Sequence, residues 1–156
     1  MQDAPPDASR LTPYARTGTV LAFDFGTKRI GVAAGDFETR LAHPLETIAH
    51  AENRLRFAAI ERLVAEWRPV LFVVGLPAHA DGSPHPVALL ARRFGQRLQG
   101  RFGIATAFVD ERLTSHDAEQ TLRHSGVRGP RLKAAVDAVA AQRILETFFD
   151  SVSRGP

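Results

Sequence analysis

The stretch Thr19-Val20-Leu21-Ala22-Phe23-Asp24, followed beyond Gly26 and Thr27-Lys28-Arg29 by Ile30-Gly31-Val32-Ala33-Ala34-Gly35, decides the architecture. Two apolar runs of strand length on either side of a tight glycine turn make a hairpin. Arg40 to Leu45 supplies a short third strand, and Pro44 suits an edge strand or a strand end. The period then changes. From Glu52 to Trp67, Leu55, Ala59, Ile60, Leu63, Val64 and Trp67 recur at spacings of three and four, the pattern of an amphipathic helix that Pro69 stops. Val70 to Gly75 is apolar on both faces, as a buried central strand is. A Pro-, Gly- and His-rich loop, Leu76 to Pro86, leads to a helix from Val87 to Gln99, and Ile104 to Val109 forms the next strand. Thr114 to His124 reads as a helix with Thr114 and Asp117 in a capping-box-like arrangement and Gly126 past its end. A basic loop, Gly126 to Arg131, precedes a last helix from about Leu132 to Phe149. An antiparallel start followed by alternating helix and strand predicts an α/β fold. Its mixed five-stranded sheet has antiparallel first three strands and helices packed on it.

Working outward, 156 residues, 44% of them apolar, suit one compact domain. Its expected span is 18–150, between a proline-bearing flexible tail at 1–17 and a short tail at 151–156. The absence of cysteine excludes a disulfide framework, a thiolate zinc site and a cysteine nucleophile. No apolar run is long enough to span a bilayer, and the first ten residues lack the basic-then-apolar pattern of a signal peptide. The expected setting is therefore the cytoplasm, without a membrane partner. The net charge is +3, and Lys28 and Lys133 are the only lysines among many arginines. Arginine offers a planar fork that grips phosphate, although a composition rich in Ala, Gly, Pro and Arg also accounts for the excess.

Three carboxylates stand where packing alone does not call for them. Asp24 closes the first strand. Glu111, preceded by Asp110, closes the strand from Ile104 to Val109. Asp137 shares a helix face with Ala140, Ala141, Ile144 and Phe148, the face that should meet the sheet. A carboxylate at an apolar interface is costly unless paired or metal-bound. Phosphodiester hydrolysis uses such clusters, because hard cations such as Mg²⁺ or Mn²⁺ take oxygen ligands and need them on rigid elements. Taken singly, each acid also suits a plainer role. Asp24 beside Gly26 fits turn chemistry. Asp110 and Glu111 fit strand-end charges paired with Arg112, and Asp137 fits the surface if the helix phase is shifted by one residue.

Four blocks at these positions resemble the YqgF family, also called RuvX, a group of Holliday-junction-resolvase-like and pre-16S ribosomal RNA nucleases. They are Asp24-Phe25-Gly26-Thr27-Lys28-Arg29-Ile30-Gly31-Val32-Ala33; Val74-Gly75-Leu76-Pro77 with Asp81-Gly82-Ser83; Asp110-Glu111-Arg112-Leu113-Thr114-Ser115 with Ala118; and Asp137-Ala138-Val139-Ala140-Ala141 with Ile144-Leu145. Ala42 to Ile48 also resembles the family's segment after its first hairpin. The resemblance covers about Val20 to Phe149. It implies an RNase H-like fold, places the family's catalytic, metal-binding acids on Asp24, Glu111 and Asp137, and implies one or two Mg²⁺ or Mn²⁺ ions. It further implies bacterial cytoplasm and maturation of the 5′ end of 16S rRNA. The loop Ala78-His79-Ala80-Asp81 departs from the family's more usual Asn-Met-Asp type of sequence.

Around the acids, Lys28 and Arg29 are placed to hold a phosphate, Arg112 to orient Glu111 or touch the substrate backbone, and Arg128, Arg131 and Lys133 to clamp nucleic acid. His79 and His85 read as polar loop residues, and Trp67 as core. The expected partner is nucleic acid, either pre-rRNA or branched DNA, with the ribosomal particle as a further partner; monomer and homodimer both remain open. Three other readings compete. The same chemistry on a four-way DNA junction would make a resolvase, which calls for paired cuts by a dimer. Asp24-Phe25-Gly26-Thr27 also looks like the first phosphate loop of actin- and sugar-kinase-type ATPases, but those bind nucleotide between two such domains. A non-catalytic RNA-binding assembly module is the third.

Overall fold

The computed structural model describes residues 17–79, 81, 83–111 and 129–153. The expected helix from Thr114 to His124, residues 1–16 of the expected tail, Arg112 and Arg128 lie outside these residues, as does the side chain of Arg131. The chain order is β1 (Thr19–Phe25), β2 (Ile30–Asp36), β3 (Ala42–Ile48), α1 (Asn53–Trp67), β4 (Leu71–Leu76), α2 (Pro86–Phe102), β5 (Thr106–Asp110) and α3 (Gly129–Ser153). The five strands form one sheet in the order β3-β2-β1-β4-β5. The β1–β2 and β2–β3 pairs are antiparallel, and β1–β4 and β4–β5 are parallel. The mixed five-stranded α/β sheet expected from the sequence is the one observed.

Side-chain alternation divides the sheet into two apolar faces. Leu21, Phe23, Val32, Phe72 and Val74 point to one side and pack with Phe57, Ile60 and Leu63 of α1 and Ala91, Phe94 and Leu98 of α2. Val20, Ala22, Ala33, Leu71 and Val73 point to the other and pack with Ala141, Ile144, Leu145, Phe148 and Phe149 of α3. By the same alternation Asp24 continues the series Val20, Ala22 and faces the α3 side. Glu111, one residue past β5, continues Ala107 and Val109 on that side.

Element ends follow local chemistry. The backbone of Arg68 enters the left-handed region (φ 47°) and its N–H bonds the Val64 carbonyl at 2.8 Å, which ends α1 before Pro69. Pro86 starts α2 where its missing N–H is harmless, and Gly103 ends it at φ 66°. β3 is longer than Arg40 to Leu45 suggested and runs to Ile48. It is an edge strand, half-exposed, with an irregularity in its pairing opposite Val32 and Ala33, so Pro44 fits and the apolar signal is weak. β1 runs one residue beyond Asp24. Helix α3 begins at Gly129 and continues through Ser153, with Val152 buried, where a tail from residue 151 was expected.

Helix α3 lies close on the sheet because its track there is small. A Cβ on Gly31 would coincide with the carbonyl of Asp137 and come within 3.0 Å of the Ala138 nitrogen, and one on Gly35 would strike Leu145 and Phe149. The helix is tethered at the β3 edge as well. Thr47 Oγ1 donates to the Ala134 carbonyl, and Gln142 Nε2 donates to the Ala42 carbonyl at 3.1 Å. No described helix is long and apolar enough to cross a membrane. Because the obstacle at Gly31 is backbone, Gly31→Ala should destabilise the fold by about 3 kcal/mol, at the upper end of overpacking costs. Urea unfolding measures this, and an unchanged midpoint would contradict the docking described.

Candidate active site

Asp24 lies near the end of β1, paired in register with Gly31 of β2 on one side. On the other side, the parallel register Phe23↔Val74 brings Gly75 of β4 alongside it. Asp24 therefore has a glycine neighbour on each flanking strand, both on the α3 face. Each glycine admits one other acid. At Gly31 the backbone of α3 descends and delivers Asp137. At Gly75 the side chain of Glu111 lies across the strand, and a Cβ there would stand 2.8 Å from its Cγ and 3.0 Å from its Cδ. Glu111 starts two strands away from Asp24, a separation of roughly 10 Å between chains, yet the two carboxyls share a hydrogen bond. Only an empty position on the strand between them lets them meet.

The electrostatics follow from that approach. Burial, then the negative charge of Glu111, then the bond to it and the charge of Asp137 hold the Asp24 carboxyl well above the usual carboxylate range. Burial also raises Glu111, which keeps only 9% exposure, and Asp110 adds to the rise. The hydrogen bond from Asp24 and the charge of His85 oppose it. Both carboxyls therefore favour the protonated form more than an isolated carboxyl does. Asp24 and Asp137 line a cleft of about 250 Å³ together with Phe25, Gly26, Thr27, Lys28 and Arg29. Asp137 is held there by Arg29, whose Nε donates to Oδ2 at 2.6 Å.

The structure brings Asp24, Glu111 and Asp137 to one corner of the sheet, with Lys28 exposed on the adjoining turn. Arg29 is in the cleft too, but bonded to Asp137 rather than standing free for a phosphate. Lys133 is exposed on the first turns of α3. Two residues gain roles that sequence reasoning did not give them. His85, read as loop polarity, caps α2 by accepting the Val87 N–H on Nδ1 at 3.1 Å, lies tilted against His79 with ring centroids 5.0 Å apart and stands close enough to act on Glu111. Arg56 is buried; it donates to the carbonyl of Gly26 at 2.6 Å and to that of His50, bracing the β1–β2 turn that forms the cleft. An arginine inside the apolar period of α1 was the available signal.

Among the described residues, no three His, Cys, Asp or Glu side chains close around one point as placed; Asp137 is drawn to Arg29. In kind, the donor set suits a hard divalent cation, being all oxygen, two of its members already in contact and mutually repelling, and the third on the same cleft.

A family model described as "RuvX: Holliday junction resolvase" matches residues 18–151. A protein of Dechloromonas aromatica named "Putative pre-16S rRNA nuclease" is 58% identical over 134 residues, covering 86% of this chain and 92% of that one. One of Nitrosomonas eutropha with the same name is 53% identical over 143 residues, covering 92% and 91%. Among solved structures, the T. thermophilus RuvC bound to a Holliday junction substrate superposes with a TM-score of 0.54 at 16% identity, over 88% of this chain and 98% of that one. At that identity the likeness establishes a shared fold.

Raised carboxyls make stability fall with pH. Between the ordinary carboxylate range and the raised values, the folded chain binds more protons than the unfolded one. The contribution of this pair is therefore most favourable at acid pH and is lost as pH climbs through the raised values. In chelator, Asp24→Asn should melt several degrees above the parent at neutral pH, with a flatter pH profile. Thermal unfolding across pH 4 to 8 measures it, and parallel profiles would contradict the raised carboxyls.

Proposed function

The chain belongs to the RuvX family, and on that premise we propose that it is a divalent-metal-dependent nuclease that hydrolyses phosphodiester bonds of RNA at the 5′ end of pre-16S rRNA. The observation that carries this reading is the meeting of Asp24 and Glu111 over Gly75, with Asp137 on the same cleft. The names of the close relatives support the substrate.

Asp24, Glu111 and Asp137 would hold the metal, as one or two Mg²⁺ or Mn²⁺ ions. When bound, such a cation supplies positive charge to the attacking and leaving oxygens of an in-line displacement. The chain's own residues set the conditions. Metal uptake competes with protons at Asp24 and Glu111, whose burial favours the protonated forms, and is therefore coupled to pH. Arg29 fixes the direction of the Asp137 carboxylate through a charge-assisted hydrogen bond. Lys28, exposed beside the cleft, meets a substrate phosphate as a point charge. Arg112, Arg128, Arg131 and Lys133 add backbone contacts that carry no sequence preference. The ribosomal particle is the expected macromolecular partner in the cytoplasm. Paired cutting of four-way DNA junctions by a homodimer is the second reading, favoured by the description of the family model.

The test offers the purified chain end-labelled RNA carrying a 16S 5′ leader and, separately, a four-way junction, with Mg²⁺ or Mn²⁺ and with chelator. Metal-dependent cutting of the RNA is expected. Asp24→Asn should abolish it, a loss of at least about 10³-fold as for a group required in the transition state, while folding and RNA binding persist. Undiminished cutting by the variant would overturn the site, and symmetric junction cuts without RNA cleavage would select the second reading.

A further inference from the structure

On the side of the sheet opposite the acids, a second cleft of about 450 Å³ opens between the first turn of α1 and the last turns of α2. It is lined by Asn53, Arg54, Phe57, Arg97, Gly100 and Arg101. Its charge is one-sided. Helix α2 carries Arg92, Arg93, Arg97 and Arg101 and no acid. Among the described residues, neither Arg97 nor Arg101 forms an ion pair; Arg101 lies 5.2 Å over the ring of Phe57. Arg54 reaches only Glu52, at 3.4 Å, with both side chains mostly exposed. Glu52 at the N-cap of α1 makes no side-chain cap and the first turn holds no acidic residue, so no side chain caps the backbone N–H groups there.

Gly100 is the second, independent observation. Glycine weakens a helix interior relative to alanine. Here neither a positive φ nor a close neighbour requires it, because a Cβ on Gly100 would meet nothing within 4 Å. Gly31 and Gly75 make room for parts of the chain itself; Gly100 leaves room in the cleft. That room is ringed by Arg54, Arg97 and Arg101, of which Arg97 and Arg101 form no ion pair among the described residues, and it fits phosphate oxygens.

We propose that this cleft is an anchoring site for the phosphate backbone of the RNA substrate, outside the segment that is cut. The proposal rests on the nuclease reading for the identity of the RNA. The two clefts are mechanically joined, since Arg56, in the α1 turn between Arg54 and Phe57, bonds the Gly26 carbonyl in the β1–β2 turn of the acid cleft. A folded RNA that reaches from one cleft to the other engages both faces of the sheet. The contacts are to backbone, so they hold a structured leader in place and do not read sequence.

The experiment measures binding of a fluorescent RNA hairpin carrying the 16S 5′ leader to the full chain over a salt series. All proteins carry Asp24→Asn so that the RNA stays intact. Arg97→Gln and Gly100→Glu alter the cleft, and Arg62→Gln removes the same charge from the exposed side of α1, where Arg62 pairs with Glu46. Arg97→Gln should weaken binding about fivefold and flatten the slope of log K against log salt by about 0.9, the value for one phosphate contact. Gly100→Glu should weaken it more without lowering the melting temperature, and Arg62→Gln should change affinity by less than about twofold. With the acids intact, cutting of a five-nucleotide RNA should be the same for Arg97→Gln and wild type. Unchanged affinity and slope in both cleft variants, an equal loss in Arg62→Gln, or no RNA binding by the parent would overturn the proposal. Loss of binding in the cleft variants of a chain that cuts no RNA would instead preserve the anchoring site and overturn the nuclease reading.

Discussion

Asp24 can be the centre of this site only because the strand positions on both sides of it are empty. In a sheet, neighbours on the same face stand about 5 Å apart, and any side chain at Gly31 or Gly75 would occupy the space that Asp137 and Glu111 need. At Gly31 the consequence is architectural: the backbone of α3 rests on the sheet, and the rest of that helix follows the small track of Ala33 and Gly35 while Ile144, Leu145, Phe148 and Phe149 fill the wider space beyond. At Gly75 the consequence is chemical: Glu111 reaches across β4 to touch Asp24. The same constraint thus fixes the helix and gathers the acids.

Gathering acids in a partly buried corner opposes folding. Burial raises the carboxyls of Asp24 and Glu111, and part of the cluster's charge is answered locally, through Arg29 at Asp137 and through His85 near Glu111. A cation placed among these acids would relieve the repulsion between them, since it adds positive charge where burial has left negative charge poorly solvated. Rigidity comes from elsewhere. Asp24 rides on the central strand β1 and Glu111 directly follows β5, α3 is tied to β3 through Thr47 and Gln142, and Arg56 braces the turn that walls the cleft. Stability is given up locally at the cluster and supplied by the two apolar layers, as functional sites generally require.

Much of this was legible in the chain. The hairpin and the central strands show as apolar runs broken by glycine, and the helices show by their spacing of three and four. Asp24 and Glu111 stood out because each ends such a run, and Asp137 because steps of three and four tie it to Ala140, Ala141, Ile144 and Phe148. β3 was read too short, since an exposed edge strand containing His43, Pro44 and Glu46 lacks the alternation that marks a half-buried one. The roles of Gly31 and Gly75 were out of reach for a different reason. A glycine in a strand announces that something comes close but not what, and the approaching groups lie far away in sequence. The pairing of Arg29 with Asp137, 108 residues apart, is of that kind. So is the meeting of α1 and α2 around Gly100, where the sequence shows only a helical glycine among arginines.

The most direct test of the central claim, that Asp24, Glu111 and Asp137 form one metal-binding unit gathered around Asp24, is calorimetric titration of the intact chain with Mn²⁺ in buffers of differing ionisation enthalpy. Saturable binding that releases protons is expected, because metal displaces protons from carboxyls that burial has raised, together with loss of that binding in Asp24→Asn. Binding without proton release, or binding that survives the substitution unchanged, would contradict it.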